Sequence, residues 1–146
     1  MTSRAPRGYS SVSPYLIVEN VEQELEFLRR VFEAEIIEAE PSESGEILHG
    51  EARIGDTVVM LAKSPKARAS GRGAMYVWRE DVDATYRRAL ESGGESVSEP
   101  AIQEHGTSEA TFRDHQGNAW WLGQELRKMP TKEIERRLME QRRSRM

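Results

Sequence analysis

The chain has no cysteine among its 146 residues, which excludes disulfides, thiolate nucleophiles and thiolate-held metals. It has no apolar run near the roughly 20 residues that a membrane-spanning helix needs. The opening, Met1–Gly8, carries no apolar stretch of the signal-peptide kind, and residues 1–10 read as a disordered arm. No nucleophile elbow or phosphate loop is present, since Ser70-Gly71-Arg72-Gly73 lacks the Gly-Lys-Ser/Thr ending. An excess of positive charge is missing too. The net charge is −4; Leu126–Met146, with eight Arg or Lys against three Glu, carries +5 and leaves −9 on the rest. A nucleic-acid-binding domain gathers basic residues on a folded face. These absences lead us to expect a cytoplasmic protein with neither a nucleic-acid nor a membrane partner.

What is present is a pattern of strands and capped helices. Ser11–Val18 reads as a strand, and Asn20 as a helix N-cap with Gln23 three residues on. Val21, Leu25, Leu28 and Phe32 follow at helical spacing, which predicts a helix to about Ala34. Strands are expected over Ile36–Glu40, Ile47–Ile54 and Thr57–Ala62, the last two joined by a Gly55-Asp56 hairpin. Residues 63–73 lack an apolar pattern and read as a linker.

The pattern then restarts with a strand over Ala74–Trp78, a cap at Asp81 and a stripe of Val82, Tyr86 and Ala89. Gly93-Gly94 ends that helix. Weaker strand signals lie at Glu95–Val97 and Thr107–Arg113. A polar turn from Asp114 then leads into a strand carrying Trp120 and Trp121. From Pro130 the basic tail reads as a helix capped by Thr131, with Ile134 and Leu138 as its apolar stripe. It is expected to be solvated, or packed on the body or a partner subunit.

The restart is an internal repeat at a constant offset of 61, with Tyr15 mapping to Tyr76, Asn20 to Asp81 and Met60-Leu61 to Trp121-Leu122. Each unit is β-α-β-β-β, and repeated supersecondary units bury their faces by stacking. Strand alternation puts Leu16, Val18, Val59, Leu61, Met75, Val77, Trp120 and Leu122 under the helices. The opposite face then carries Ser13, Tyr15 and Ile17, Met60 and Ala62, Ala74, Tyr76 and Trp78, and Trp121. The Gly55-Asp56 turn adds His49, Glu51 and Arg53 to it. A face mixing aromatic and ionisable groups suits a ligand cavity; the alternatives are a dimer interface or an ordinary core between sheets.

Paired β-α-β-β-β modules, the entry Tyr-Leu-Ile-Val-Glu-Asn at 15–20 and the Asp-x-x-Gly-Asn turn at 114–118 resemble the vicinal oxygen chelate superfamily. That superfamily includes glyoxalase I, bleomycin-resistance proteins and extradiol dioxygenases. The resemblance covers about residues 11–125, and the stretch at 49–56 with the basic tail is similar to its bacterial glyoxalase-like branch. It implies an α+β fold of two tandem βαβββ modules, residues 11–62 and 74–124, forming a curved mixed sheet around a cavity. The C-terminal helix is placed within 126–146.

The superfamily's metal enzymes hold a divalent ion with one residue from each of four strands. Those positions fall here on Ser13, Met60, Ala74 and Trp121, which is no plausible ligand set. The resemblance therefore implies a homodimer that binds a small organic molecule with no metal and no cofactor. Ser13, Tyr15, Met60, Tyr76, Trp78 and Trp121 are the expected ligand-binding residues. The alternative is a lyase or isomerase with a cavity His/Glu or a relocated metal site.

His49 and Glu51 lie roughly 6.5–7 Å apart along one strand and are the candidate catalytic pair, as acid and base or as ligands of a displaced metal. The plainer reading is a polar strand face in which Glu51 pairs with Arg53 or another cation. His105 belongs to a loop and His115 to a turn, both expected to be exposed. The facing of Glu109 and Arg113 is open.

Overall fold

The computed structural model describes residues 5–63, 72–103, 106–127 and 129–145. Most of the expected linker (64–71) and His105 lie outside the described residues. The elements in order are β1 (Tyr15–Val18), α1 (Val21–Phe32), β2 (Glu35–Glu38), β3 (His49–Ile54) and β4 (Thr57–Lys63). They continue as β5 (Ala74–Trp78), α2 (Val82–Glu91), β6 (Glu95–Ile102), β7 (Thr107–Arg113), β8 (Ala119–Glu125) and α3 (Thr131–Ser144). This is the α+β arrangement of two tandem βαβββ modules with a C-terminal helix. Each module carries an open four-stranded mixed sheet, ordered β1-β4-β3-β2 in the first and β5-β8-β7-β6 in the second. The chain forms two compact units, Met1–Gly73 with His115–Asn118, and Ala74–Asp114 with Ala119–Met146. Among the described residues no helix is long and apolar enough to cross a membrane.

Local chemistry explains the helix starts. Asn20 accepts a hydrogen bond from the Gln23 N–H at 2.9 Å, and Asp81 accepts one from the Ala84 N–H at 3.1 Å. Each cap satisfies an amide that the first helical turn leaves without a partner. The expected stripe of α1 is buried, joined by Phe27, Val31 and Glu24. Each fully buried Val, Leu or Phe contributes about 1.5–3 kcal/mol, so this face holds α1 to its sheet. The helix stops two residues before Ala34, because Glu33 turns left-handed (φ 56°) and its N–H closes back on the Leu28 carbonyl. In α2, Val82 and Ala89 are buried as expected. Thr85 is the third buried residue, and Tyr86 is half-buried with its hydroxyl 2.5 Å from Ser96 Oγ.

Strand register carries the repeat. In the parallel pair β1–β4, Tyr15 lies opposite Met60 and Leu16 opposite Leu61. In β5–β8, Tyr76 lies opposite Trp121 and Val77 opposite Leu122. Both pairs are related by the offset of 61. The Gly55-Asp56 hairpin also holds, pairing Glu51 with Met60 and His49 with Ala62. Gly55 sits at φ 59° and Asp56 is not among the positive-φ residues, which makes a type II′ turn with glycine at its first central position.

Several boundaries differ from expectation. β1 begins at Tyr15, with Pro14 contributing only its carbonyl, which accepts from the Met60 N–H at 2.9 Å. Ile47 makes an isolated bridge to Pro41 ahead of β3. β6 continues past Val97 to Ile102 through two register breaks. Thr131 does not cap α3: Pro130 holds the cap position, and no side-chain cap bond forms. On α3, Ile134 and Leu138 are half-buried, and Gln141 accepts from the Ile102 N–H at 2.8 Å. The arm read over 1–10 is described from Ala5 onward, where the Gly8 carbonyl accepts from Arg53 at 2.8 Å and the Tyr9 hydroxyl donates to Glu51.

The two adjacent tryptophans test the register directly. Trp120 is fully buried and its indole N–H donates to Asp114 at 2.9 Å, while Trp121 is 41% exposed. We expect Trp120→Ala to cost about 3–5 kcal/mol and Trp121→Ala less than about 1 kcal/mol, read by urea denaturation. The reverse order would contradict the register of β8.

Candidate functional site

In the first unit the ionisable residues gather on β2 and β3. Glu51 is only 6% exposed, and Tyr9, 42 residues earlier, donates its hydroxyl proton to it. That bond, ahead of burial and the Glu51 charge, holds the Tyr9 phenol above its ordinary pKa. His49 is half-buried, with its Nδ1 3.4 Å from Glu38 Oε1 and its ring 6.5 Å from that of Tyr15. Arg53 does not pair with Glu51 as the plainer reading supposed. It lies 3.7 Å from Glu35 and donates to the Gly8 carbonyl. Tyr15 is exposed, Met60 half-buried, and Ser13 sits half-buried before β1 begins. Tyr9 and Glu38 are the residues that sequence reasoning missed, because each reaches the group from a separate segment.

In the second unit the exposed aromatics gather on β5 and β8. Tyr76 is 43% exposed, Trp78 61% and Trp121 41%. Tyr76 and Trp121 are register partners, and the rings of Tyr76 and Trp78 lie 5.1 Å apart, tilted by 57°. The structure settles the facing of Glu109, which lies opposite Gly123 and accepts the Tyr76 hydroxyl proton at 2.6 Å. Gly123 makes this possible, since a Cβ there would lie 2.2 Å from the Tyr76 hydroxyl oxygen. Burial of the hydroxyl end first, then the bond to Glu109, then the Glu109 charge push the Tyr76 phenol far above its ordinary value. The Tyr76 side chain as a whole stays 43% exposed, with its hydroxyl lying close over the buried Gly123.

Arg113 is exposed at the end of β7, opposite Glu95 and Ala119, and by alternation it shares the face of Glu109 and Trp121. His115 is an exposed turn residue whose ring packs edge-on against Phe27 at 5.4 Å. A groove of 760 Å³ in the second unit runs past α2, β6 and α3, lined by Arg87, Glu99, Arg136 and Glu140 among others. Arg136 there is paired with Glu133 and Glu140.

Residues 10–122 match the family model of the glyoxalase/bleomycin resistance protein/dioxygenase superfamily. The chain belongs to this superfamily. Among sequence relatives, an uncharacterized protein of Mycobacterium bovis, Mb0911c, is 26% identical over 136 residues, covering 86% of this chain and 90% of its own. Among solved structures, TioX from Micromonospora sp. ML1 is 22% identical with a TM-score of 0.68, covering 79% of this chain and 99% of its own. A glyoxalase-related enzyme from Fulvimarina pelagi is 14% identical with a TM-score of 0.63, covering 78% and 87%. At these identities the solved structures speak to the fold alone.

The four positions that the resemblance assigns to the superfamily's metal carry side chains that do not suit an ion. Met60 offers a soft thioether, Ala74 and Trp121 offer no donor, and Ser13 offers a neutral hydroxyl. Hard divalent ions take carboxylate, carbonyl and water oxygens, and borderline ones take imidazole, thiolate or carboxylate. No step of a reaction is therefore assigned to an ion held at these four residues.

The tyrosine–carboxylate contacts have a spectroscopic consequence. In a phenol titration read against Tyr76→Phe, Tyr76 is expected to ionise above the ordinary midpoint of about 10. Glu109→Ala should bring that midpoint part of the way down and leave Tyr9 unmoved. Since the folded-state pKa is raised, the stability this phenol contributes is complete below pH about 10 and is lost as pH rises through its folded midpoint. A Tyr76 that titrates with the exposed tyrosines would contradict the contact.

Proposed function

We propose that this superfamily member binds a small planar organic molecule on the aromatic face of its second module, without the usual metal site. The observation that carries the reading is the grouping of Tyr76, Trp78 and Trp121, all substantially exposed, on one sheet face beside the carboxylate of Glu109. Aromatic rings stack on planar ligands and attract cations to their faces. Glu109 and the net −9 outside the C-terminal tail both favour a ligand that is positively charged or rich in hydrogen-bond donors. Covering the exposed half of three such rings removes on the order of 300 Å² from water, about 7 kcal/mol at about 25 cal/mol per Å². Tyr15 and Met60 would offer a smaller apolar surface on the first module, with Ser13 just before its first strand. The reading includes a homodimer, on the strength of the superfamily resemblance, and a cytoplasmic location, on the strength of the composition.

A second reading has one observation in its favour. Glu51 is buried yet within reach of two proton-bearing groups, the hydroxyl of Tyr9 and the imidazole of His49. A buried carboxylate so placed suits a general base, which would make the protein a lyase or isomerase. Mass spectrometry of a bound ligand after prolonged incubation separates the two readings, because pure binding returns the ligand unchanged.

The binding proposal is tested by tryptophan fluorescence against three planar probes: an N-methylquinolinium cation, neutral quinoline and a naphthoate anion. Affinity should fall in that order. Trp121→Ala and Trp78→Ala should each weaken the cation at least tenfold, and Glu109→Gln should flatten the preference for charge. An absent response to all three probes, or one that survives Trp121→Ala, would sink the proposal.

A further inference from the structure

On the first module, a break in strand register brings together three groups that the sequence keeps apart. Glu35 lies opposite Arg53 and Ile36 opposite Ala52, but the next pair is Glu38 with Glu51, so Ile37 is an extra residue. Had the register run on unbroken, Ile37 would pair with Glu51 and Glu38 with Gly50, turning Glu38 to the helix-covered face. The bulge re-aims Glu38 onto the face of Glu51 and His49, as bulges beside functional sites do. One ligand-type atom from each of Glu38, His49 and Glu51 then lies within 4.8 Å of the others.

Among the described residues, no Arg or Lys pairs with either carboxylate of this group, which holds one imidazole between them. Carboxylates directly opposite each other on neighbouring strands repel, and a buried carboxylate needs a counter-charge. Glu51 is nine-tenths buried, takes its hydrogen bond from Tyr9 on Oε1, and accepts none on Oε2 among the described residues. Arg53, on the same strand, is turned to Glu35 and the Gly8 carbonyl. His49 Nδ1, at 3.4 Å from Glu38, is beyond a normal hydrogen bond.

We infer that Glu38, His49 and Glu51 form a site for one divalent transition-metal ion, separate from the superfamily's usual positions. One imidazole and two carboxylates suit a borderline ion such as Zn²⁺ or Mn²⁺. They offer too few oxygens for the cage that Ca²⁺ takes, and Mg²⁺ prefers oxygen alone. Three protein ligands leave a coordination position for water. Closing on an ion at about 2.0–2.2 Å draws the three groups together, and the side chain of Glu38, 44% exposed, has the freedom to do most of the moving. Tyr9 keeps its bond to Glu51 and orients that carboxylate, the usual task of an outer partner. The site does not depend on the aromatic face, so either proposal can stand without the other.

The test is calorimetric titration of chelator-treated protein with Zn²⁺, Mn²⁺ and Mg²⁺ in parallel. We expect one equivalent bound, with Zn²⁺ tightest and Mg²⁺ weakest. Glu51→Gln, His49→Ala and Glu38→Gln should each weaken Zn²⁺ at least tenfold. The side chain of Glu38 is partly exposed, so its variant tests the site even if Glu51→Gln fails to fold. His105→Ala and His115→Ala remove the chain's other two histidines, and with Trp121→Ala they should leave affinity unchanged. Co²⁺ should give a visible absorption band that His49→Ala abolishes. Absence of stoichiometric uptake, uptake that survives Glu38→Gln and His49→Ala, or uptake lost with His115→Ala would each overturn the inference.

Discussion

Both candidate surfaces of this molecule hang on two parallel strand pairings. β1 runs beside β4 and β5 beside β8, each pair joined the long way round through a helix and two further strands. In both modules the register sets a leucine or valine against a leucine on the helix side, Leu16 with Leu61 and Val77 with Leu122. Burial of those residues enforces the register, since a slip of one residue would turn every side chain to the wrong face. The same constraint then dictates what the other face carries: Tyr15 beside Met60 in the first module and Tyr76 beside Trp121 in the second. Neither face is chosen locally; each is what remains once the helix side is packed.

The two modules use equivalent positions for different chemistry. His49 lies opposite Ala62, and Glu109 lies opposite Gly123, 61 residues further along the neighbouring strand. In the first module Tyr15 leans toward an imidazole set among carboxylates. In the second, the alanine is replaced by glycine, and Tyr76 crosses the strand to reach Glu109. A duplicated scaffold has thus kept its pairing rules while its two faces diverged, one ionisable and one aromatic. This is how one fold comes to host many functions.

Much of this was legible in the sequence. Both N-caps, the offset of 61, the Gly55-Asp56 hairpin and the opposite fates of Trp120 and Trp121 all follow from local chemistry and strand alternation. What sequence could not show was of three kinds. Contacts between distant segments have no local signal, so Tyr9 on Glu51 was invisible. Bulges break the alternation on which facing is argued, so Glu38 was left out of the ionisable group, and β6 was read as ending at Val97. Cap positions shift by a residue when proline competes, so Thr131 was taken for a cap that Pro130 occupies. The neighbours of Glu109 became readable only once β7 and β8 were in register.

The central claim is that the exposed aromatics of the second module are the ligand surface and the buried one is structural. The most direct test uses the three indole N–H resonances of the chain's three tryptophans in a ¹⁵N–¹H correlation spectrum, assigned by single substitutions and followed as a planar cation is added. The account predicts that the Trp78 and Trp121 resonances move together along a saturating curve, while Trp120, buried and bonded to Asp114, stays in place. A spectrum in which none of the three moves, or in which Trp120 moves and Trp121 does not, would contradict it.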